Sequence, residues 1–259
     1  MPTRISDLGT TRALAMALLT WCSACVAPES ESVADNDPIE AVNRPIFEAN
    51  MAADRFTLKP VAQAYQDHVP PEIRTGLHNA LRNLKEPNVA VNDLLQGNPD
   101  RAWGTVRRLA INTTLGAAGV FDVATGWNLP GHDSDFGQTL AIWGLGEGPF
   151  LELPLLGPSN PRDVLGSAVD LVLDPLTFIG PAGTYVSVAR GGSELVDTRS
   201  RHIDDLDAVE RGSIDFYATL RSIHQQQRDA QIREAKKEPY GRLDIYFPAT
   251  QHSMSSSPK

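Results

Sequence analysis

After one unbroken apolar run near the N-terminus, Ala13-Leu14-Ala15-Met16-Ala17-Leu18-Leu19, apolar residues recur along this chain at helical rather than strand spacing. Asn36-Asp37-Pro38-Ile39-Glu40 carries a helix start, with Asp37 as the N-cap and Pro38 at the first helical position. Val42, Ile46 and Phe47 follow at helix-like intervals. Val69-Pro70-Pro71-Glu72 opens a second helix, where Ile73, Leu77, Ala80, Leu81 and Leu84 recur at i, i+4, i+7, i+8 and i+11, an amphipathic pattern. Glu86-Pro87 predicts a restart, a helix carrying Val91, Leu94 and Leu95 and closed by Gly97 as its C′ residue. A further helix is predicted from about Pro99 to Leu115, with Trp103, Val106, Ala110 and Thr113 on one face.

The pattern changes between Gly116 and Pro158. Nine glycines crowd this stretch, among them Gly126, Gly137, Gly144, Gly148 and Gly157, and the apolar pieces between them are too short for ordinary helices. Helical spacing resumes after Asn160-Pro161-Arg162-Asp163, where Val164, Leu165, Ala168, Val169, Val172 and Leu173 make a nearly all-round apolar segment ending at Asp174-Pro175. A helix from about Ala182 to Arg199 and a long polar one from about Ser213 to Lys236 complete the pattern. Strand-like alternation is confined to Glu152-Leu153 and Asp244-Ile245-Tyr246-Phe247, so the predicted class is all-α, without internal repeats. The Ser-rich end from Gln251 to Lys259 reads as disordered.

Composition adds exclusions. The formal net charge of −9 argues against phosphate-backbone binding as the main role, so no nucleic-acid partner is expected. A mean hydropathy of −0.23, with no apolar run of about 20 residues past the N-terminus, excludes a transmembrane bundle. On these numbers alone the chain reads as an ordinary acidic soluble protein. Its 20 glycines and 19 prolines indicate many turns and helix ends.

The two cysteines, Cys22 and Cys25, both precede residue 30, so neither a disulfide framework nor a cysteine-based metal site belongs to the body of the protein. Arg4 and Arg12 followed by the short apolar run form a secretion signal. Ser23-Ala24-Cys25 resembles the bacterial lipobox, in which a cysteine becomes acylated and then N-terminal. Cys25 is the preferred lipidation site and Cys22 the alternative, because Trp21 would have to fill a small peptidase subsite. Cys22 occupies the place where the lipobox usually carries Leu, and an ordinary cleaved signal with an incidental cysteine is the bland alternative. Val26, rather than Asp, follows Cys25; in lipoproteins resembling enterobacterial ones this implies release to the outer membrane. The chain accordingly divides into a lipoprotein signal peptide (1–24), a flexible tether (25–35), a helical domain (36–236) and a largely disordered tail (237–259). No cofactor is expected beyond the covalent acyl and diacylglycerol anchor on Cys25.

Enzyme motifs are lacking: there is no His-Glu-x-x-His, no P-loop and no Gly-x-Ser-x-Gly elbow. Gly144-Leu145-Gly146-Glu147-Gly148 has the wrong spacing for a dinucleotide loop, and Glu147 would repel phosphate. Asp135-Phe136-Gly137 matches the kinase tripeptide without its companion motifs. His132-Asp133-Ser134-Asp135 could hold a cation, but two loop carboxylates are more often solvated or capping, so no metal is assigned. The six histidines are scattered without spaced pairs.

A resemblance runs through most of the chain. Asn36-Asp37-Pro38-Ile39-Glu40 with Asn43, Arg44 and Phe47, then Leu58-Lys59-Pro60-Val61-Ala62, is similar to the opening of the MlaA (VacJ) lipoproteins. It continues through Asn83-Leu84-Lys85-Glu86-Pro87, Asn92-Asp93-Leu94-Leu95-Gln96-Gly97 and Arg108 to Gly116, including Asn112. The densest part is Asp135-Phe136-Gly137-Gln138-Thr139-Leu140, then Trp143-Gly144, Gly148-Pro149 and Leu153-Pro154-Leu155-Leu156-Gly157-Pro158-Ser159. Weaker similarity reaches Asp215-Phe216-Tyr217 and Arg228. The chain departs from the pattern at Ala49, where the family often has an aromatic, and at Ala141-Ile142, where it often has Gly-His.

The resemblance implies a single multi-helix ring around an amphipathic channel, seated in the inner leaflet of the outer membrane and facing the periplasm. It implies removal of mislocalised phospholipids from the outer leaflet, transfer to a soluble periplasmic carrier, and a trimeric porin as a partner. The glycine-broken segment and the apolar helix after Pro161 then offer lipid-facing surface, with Arg107, Arg108, Asp122 and Asp170 as candidate polar groups on the lipid path. Helix capping or surface pairing is the competing reading of each of these four. Two other functions stay open at this point, a phospholipid hydrolase and a structural lipoprotein that scaffolds porins.

Overall fold

The computed structural model describes residues 36–236, and all but a short hairpin of its regular structure is helical, so the class is all-α. Helix α1 (Glu40–Ala53) passes through one π-helical turn, Asp54–Leu58, into α2 (Lys59–His68). Helices α3 (Pro71–Leu95) and α4 (Pro99–Thr114) pack side by side, and the glycine-rich stretch folds into the short α5 (Val123–Gly126) and α6 (Phe136–Ile142). The antiparallel pair β1 (Leu151–Leu153) and β2 (Gly157–Ser159) follows, with Leu151 opposite Ser159. Next come α7 (Pro161–Leu173), a 3-10 turn (Pro175–Ile179), α8 (Pro181–Arg201), α9 (Ile203–Gly212) and α10 (Phe216–Lys236). Cys22, Cys25, the tether and the predicted tail, including Asp244-Ile245-Tyr246-Phe247, lie outside the described residues.

Local chemistry explains several boundaries. Asn160 caps α7 by accepting from the Asp163 N–H at 2.9 Å, and Asp135 caps α6 by accepting from the Gln138 N–H at 2.9 Å. Gly97 (φ 77°) ends α3 as predicted: its N–H donates to Leu94 O at 3.0 Å, and the Asn98 N–H donates to Asp93 O at 2.9 Å. Gly166 lets α7 touch α6, because a Cβ there would collide with the backbone of Gly137.

Two local readings are overturned. Pro87 does not start a new helix; it sits inside the unbroken 25-residue α3. The proline removes one ladder hydrogen bond, but Asn83, Glu86, Val89 and Ala90 around it are all buried, and packing along that length holds the helix together. Asp37 is not the N-cap of α1, which starts at Glu40 after Ile39 with no side-chain cap. Its carboxylate is instead buried as an acceptor for Asn43 Nδ2 (2.7 Å), Arg221 Nη1 (3.0 Å) and the Tyr217 hydroxyl. Helices α2 and α9 have no counterpart in the sequence pattern.

That carboxylate joins the two ends of the described chain. Asn43 Nδ2 also donates to Phe150 O (3.1 Å), and Asn43 Oδ1 accepts from the Glu152 N–H (3.0 Å), tying α1 to β1. Beside it Phe47, Phe150 and Tyr217 form the aromatic core, with Phe47 and Tyr217 edge to face at 5.4 Å. Arg44 lies over the Tyr217 ring at 4.6 Å and forks onto Asp215 at 2.5 and 3.1 Å.

The distribution of polarity is the reverse of a water-soluble domain. Among the described residues, twelve apolar side chains are buried against twenty-three polar or charged ones. Most of the apolar residues that mark the predicted helices are exposed instead: Ile73, Leu84, Leu94, Trp103, Leu165 and Val172 are among them. An amphipathic helix in water turns such a stripe inward; these helices turn theirs outward.

The α1–α10 junction can be tested in two ways. Asn43→Ala leaves Asp37, the Phe150 carbonyl and the Glu152 N–H short of partners in a buried site, at a cost of about 2–4 kcal/mol. A melting experiment should show Tm lowered by roughly 5–15 °C; an unchanged Tm would contradict the junction. The Arg44 guanidinium holds the Asp215 carboxyl at about 2, well below its usual 3.8. A depressed acid adds stability above its unfolded value and loses it as pH falls through the folded one, here between about 4 and 2. Arg44→Met should therefore lower Tm at pH 7, with a difference from wild type that shrinks across that window; a constant difference would refute the coupling.

Candidate functional site

The inward side of α3 carries His78, Arg82, Lys85 and Asn88, which the 3.6-residue repeat places along one stripe. They form one wall of a cavity of about 530 Å³. The opposite walls come from the loop at 133–135, the C-terminal half of α7, the middle of α8, and Arg228 on α10. Such a volume lies within the ordinary range for small-ligand sites, yet this lining is dense in charge.

Most of those charges are paired across helices. Lys85 bridges to Glu194 and Arg190 to Asp174, linking α8 to α3 and to the end of α7. His78 Nδ1 meets Asp197 Oδ2 at 2.8 Å. Arg228 forks onto Asp135 at 2.6 and 2.7 Å and onto Asp163 at 2.8 and 2.9 Å. Burial works against ionisation of Asp163, but Arg228 outweighs it and holds that carboxyl below the usual range. A second cavity, of about 310 Å³, shares Asp135, Arg228 and Gln231 with the first, so the Arg228 pairs stand between two polar spaces.

Asp170 lines the larger cavity without a cation. It accepts from the Phe136 N–H (2.9 Å), Asn92 Nδ2 (2.8 Å) and Asn88 Nδ2 (3.2 Å). Burial pushes its pKa up, and the nearby Asp135 charge adds to the rise against those hydrogen bonds.

A second network lies beside the cavity, between α3 and α4. Arg108 donates to Glu86 Oε1 at 3.0 Å, to both oxygens of Asp122 at 3.3 Å, and to the Leu129 carbonyl. Asn112 donates to Asp122 Oδ1 (3.1 Å) and accepts from the Ala124 N–H (2.9 Å). Burial pushes the Glu86 carboxyl up while Arg108 pulls it down. Asp93 is fully enclosed, bonded to Thr105 Oγ1 (2.9 Å) and His132 Nε2 (2.9 Å) and ion-paired with Arg101, whose Nε stands at 3.4 Å.

Much of the exposed surface is made of large apolar side chains. An open groove of about 890 Å³ runs between the first turns of α3 and residues 120–123, lined by Ile73, Leu77, Ala80, Val120, Phe121 and Val123. Leu155 and Leu156 at the hairpin turn are 78% and 81% exposed, and Phe178 76%. Large apolar exposure marks a site of contact with protein, membrane or ligand. Among the described residues no helix is long and apolar enough to cross a membrane.

The four candidate path residues therefore separate. Asp170 is on the cavity wall; Arg108 and Asp122 meet each other in the adjoining network, and Asp122 also caps α5 by accepting from the Thr125 N–H. Arg107 is exposed beside Trp103 and Val106 and lines neither polar cavity. Of the residues that carry the resemblance, Asn83 donates to Thr113 Oγ1 (3.0 Å), Asn92 accepts from Thr139 Oγ1 (2.9 Å), and the Phe136 ring stands edge to face on Trp143 at 5.7 Å. Gly144, Gly148 and Gly157 take positive φ, with Pro149 next to the buried Phe150 and Pro154 in the hairpin turn. Sequence reading did not single out Arg82, Arg190 or Glu194. Their only signal is a polar position on the side of the helix away from its apolar stripe, which ordinarily marks solvent.

Comparison with known proteins agrees with this geometry. Residues 35–231 match the family model described as "MlaA lipoprotein". The chain is 34% identical over 210 residues to the intermembrane phospholipid transport system lipoprotein MlaA of Shigella flexneri, covering 79% of this chain and 82% of that protein. The protein of the same name from Escherichia coli strain K12 is likewise 34% identical, with the same coverage. A solved structure, reported under "Structural basis for maintenance of bacterial outer membrane lipid asymmetry", superposes with a TM-score of 0.69 at 33% identity, covering 76% of this chain and 98% of the other.

Proposed function

The chain belongs to the MlaA lipoprotein family, and from that premise we propose that it is an outer-membrane lipoprotein that removes phospholipids from the outer leaflet. It passes them to a periplasmic carrier and so maintains lipid asymmetry. The observation that carries this reading is the inverted polarity: a charged cavity inside a helical body that exposes many of its large apolar side chains.

A phospholipid leaving a bilayer has two incompatible requirements. Its headgroup loses several kcal/mol if stripped of water and left without polar partners, and its chains lose about 25 cal/mol per Å² of apolar surface exposed to water. The cavity between α3, α7 and α8 offers the headgroup charged and hydrogen-bonding groups. The outward apolar faces keep the body in contact with acyl chains, so lipid tails need not cross water to reach it. The role is binding and transfer, with no bond cleaved.

The N-terminal segment fits this placement. Cys25, acylated after removal of residues 1–24, gives an anchor of several chains, each worth about 0.8 kcal/mol per buried CH₂, with residues 25–35 as the tether. Bilayer contact by the 36–236 body adds to that anchor. A trimeric porin is the partner that would hold the lipoprotein at a fixed depth.

The test is lipid carriage. Protein purified from membranes in mild detergent should yield phospholipid by mass spectrometry of its organic extract, and a strain lacking the gene should expose phospholipid at the cell surface. Empty protein together with an unchanged outer leaflet would overturn the reading. Fatty acid released by the purified protein would replace it with hydrolysis.

A further inference from the structure

We propose that Arg82 and Asp133 form a headgroup subsite selective for phospholipids with an amine beyond the phosphodiester, the phosphoethanolamine class. The inference rests on the reading of the cavity as the lipid path and adds a chemical preference to it.

Charge pairing on the cavity wall singles these residues out. Lys85, Arg190 and Arg228 are each bonded to a carboxylate across the cavity. The side chain of Arg82, half-buried on the same wall, makes no ion pair or hydrogen bond among the described residues. Its guanidinium is nevertheless held close to a second one. A Cβ on Gly131 would stand 2.9 Å from Arg82 Nη2 and 3.0 Å from Arg108 Nη2, so the two tips converge on that glycine. Arg108 is bonded to Glu86 and Asp122, whereas Arg82 acts on Glu86 only through space and as the last of several influences on it. A cation kept beside another in a partly desolvated cavity gains most from an arriving anion. A guanidinium fork suits a phosphodiester, whose oxygens it can bond in pairs.

Asp133 supplies the opposite charge. It lies two residues beyond Gly131, lines the same cavity, is exposed, and makes no ion pair or hydrogen bond among the described residues. Two residues span at most about 7 Å of chain, so the backbone of Asp133 stays close to the glycine that the Arg82 tip approaches, and both residues line one cavity. Arg82 and Asp133 do not pair with each other, so the cavity lining offers one positive and one negative group, each with room for a new partner. A phosphate carrying an ammonium two carbons away completes both. A phosphoglycerol head completes only Arg82 and leaves Asp133 facing a neutral hydroxyl group. Asp170 likewise has no cation partner among the described residues, but its oxygens are already taken by Asn88, Asn92 and the Phe136 N–H.

The experiment loads the detergent-purified full lipoprotein from vesicles of equal phosphatidylethanolamine and phosphatidylglycerol, and counts both lipids by mass spectrometry. Wild type should retain phosphatidylethanolamine over phosphatidylglycerol by about fivefold. Asp133→Asn should return that ratio to the vesicle value with little change in total lipid. Arg82→Glu should cut total lipid about fivefold or more, and Arg82→Lys should restore part of it. Neither residue has a bonded partner to lose, and unchanged melting curves check that the variants fold. If wild type carries lipid and Arg82→Glu and Asp133→Asn match it in amount and ratio, the subsite is wrong and the transport reading stands. If wild type itself holds no lipid, the transport reading fails and the subsite with it.

Discussion

Helix α3 carries the interactions on which the rest of the structure depends, because its two faces make opposite demands. On the inward face Glu86 needs Arg108, Asp93 needs Thr105, Arg101 and His132, and Asn92 joins Asp170 to Thr139. Removing one partner of a buried charge costs about 3–5 kcal/mol, a large part of the stability of an ordinary domain. These pairs therefore dictate where α4, α6, α7 and the loop around Gly131 must lie. On the outward face Ile73, Leu84, Val91 and Leu94 find no protein partner that covers them. The paired charges of the interior are what permit a helix to face this way round.

The same arrangement accounts for membrane residence with no membrane-spanning helix among the described residues. A spanning helix has to enclose all its own polar groups within one apolar cylinder. Here several shorter helices divide that work among them. Each gives its apolar stripe to the surroundings and its polar stripe to a common interior. The junction of α1 with α10 at Asp37 brings the two ends of the described chain together, and Arg228 divides the polar interior into two spaces. A headgroup passing through would exchange one set of charged partners for another rather than enter an apolar core.

Much of the helical framework was legible because proline, glycine and asparagine punctuate it. Asn160-Pro161 and Gly97 mark boundaries found in the structure, and the Ile73-to-Leu84 periodicity marks a real helix. Periodicity, however, has no sign. It reports that a stripe exists and not whether the stripe faces a core or a bilayer, so hydropathy alone described an acidic soluble protein. Pro87 and Asp37 were misread for a related reason: their local preferences, to break and to cap, yield to burial between helices. The cavity was the least legible part. Arg82, Arg190 and Glu194 resemble solvated positions in sequence, and Lys85 and Arg228 stood out only through a family pattern. Their convergence is a property of the packing of α3, α8 and α10. Among the four path candidates, only Asp170 reaches the cavity wall, whereas Arg108 and Asp122 found each other.

In a bilayer the apolar faces meet acyl chains while the charged interior does not. Tryptophan quenching in proteoliposomes measures this directly, since Trp103, Trp127 and Trp143 are 62%, 57% and 58% exposed. Strong quenching by lipids brominated along their chains and weak quenching by aqueous iodide are expected. Strong iodide quenching with no effect of brominated lipid would place those faces in water and contradict acyl-chain contact.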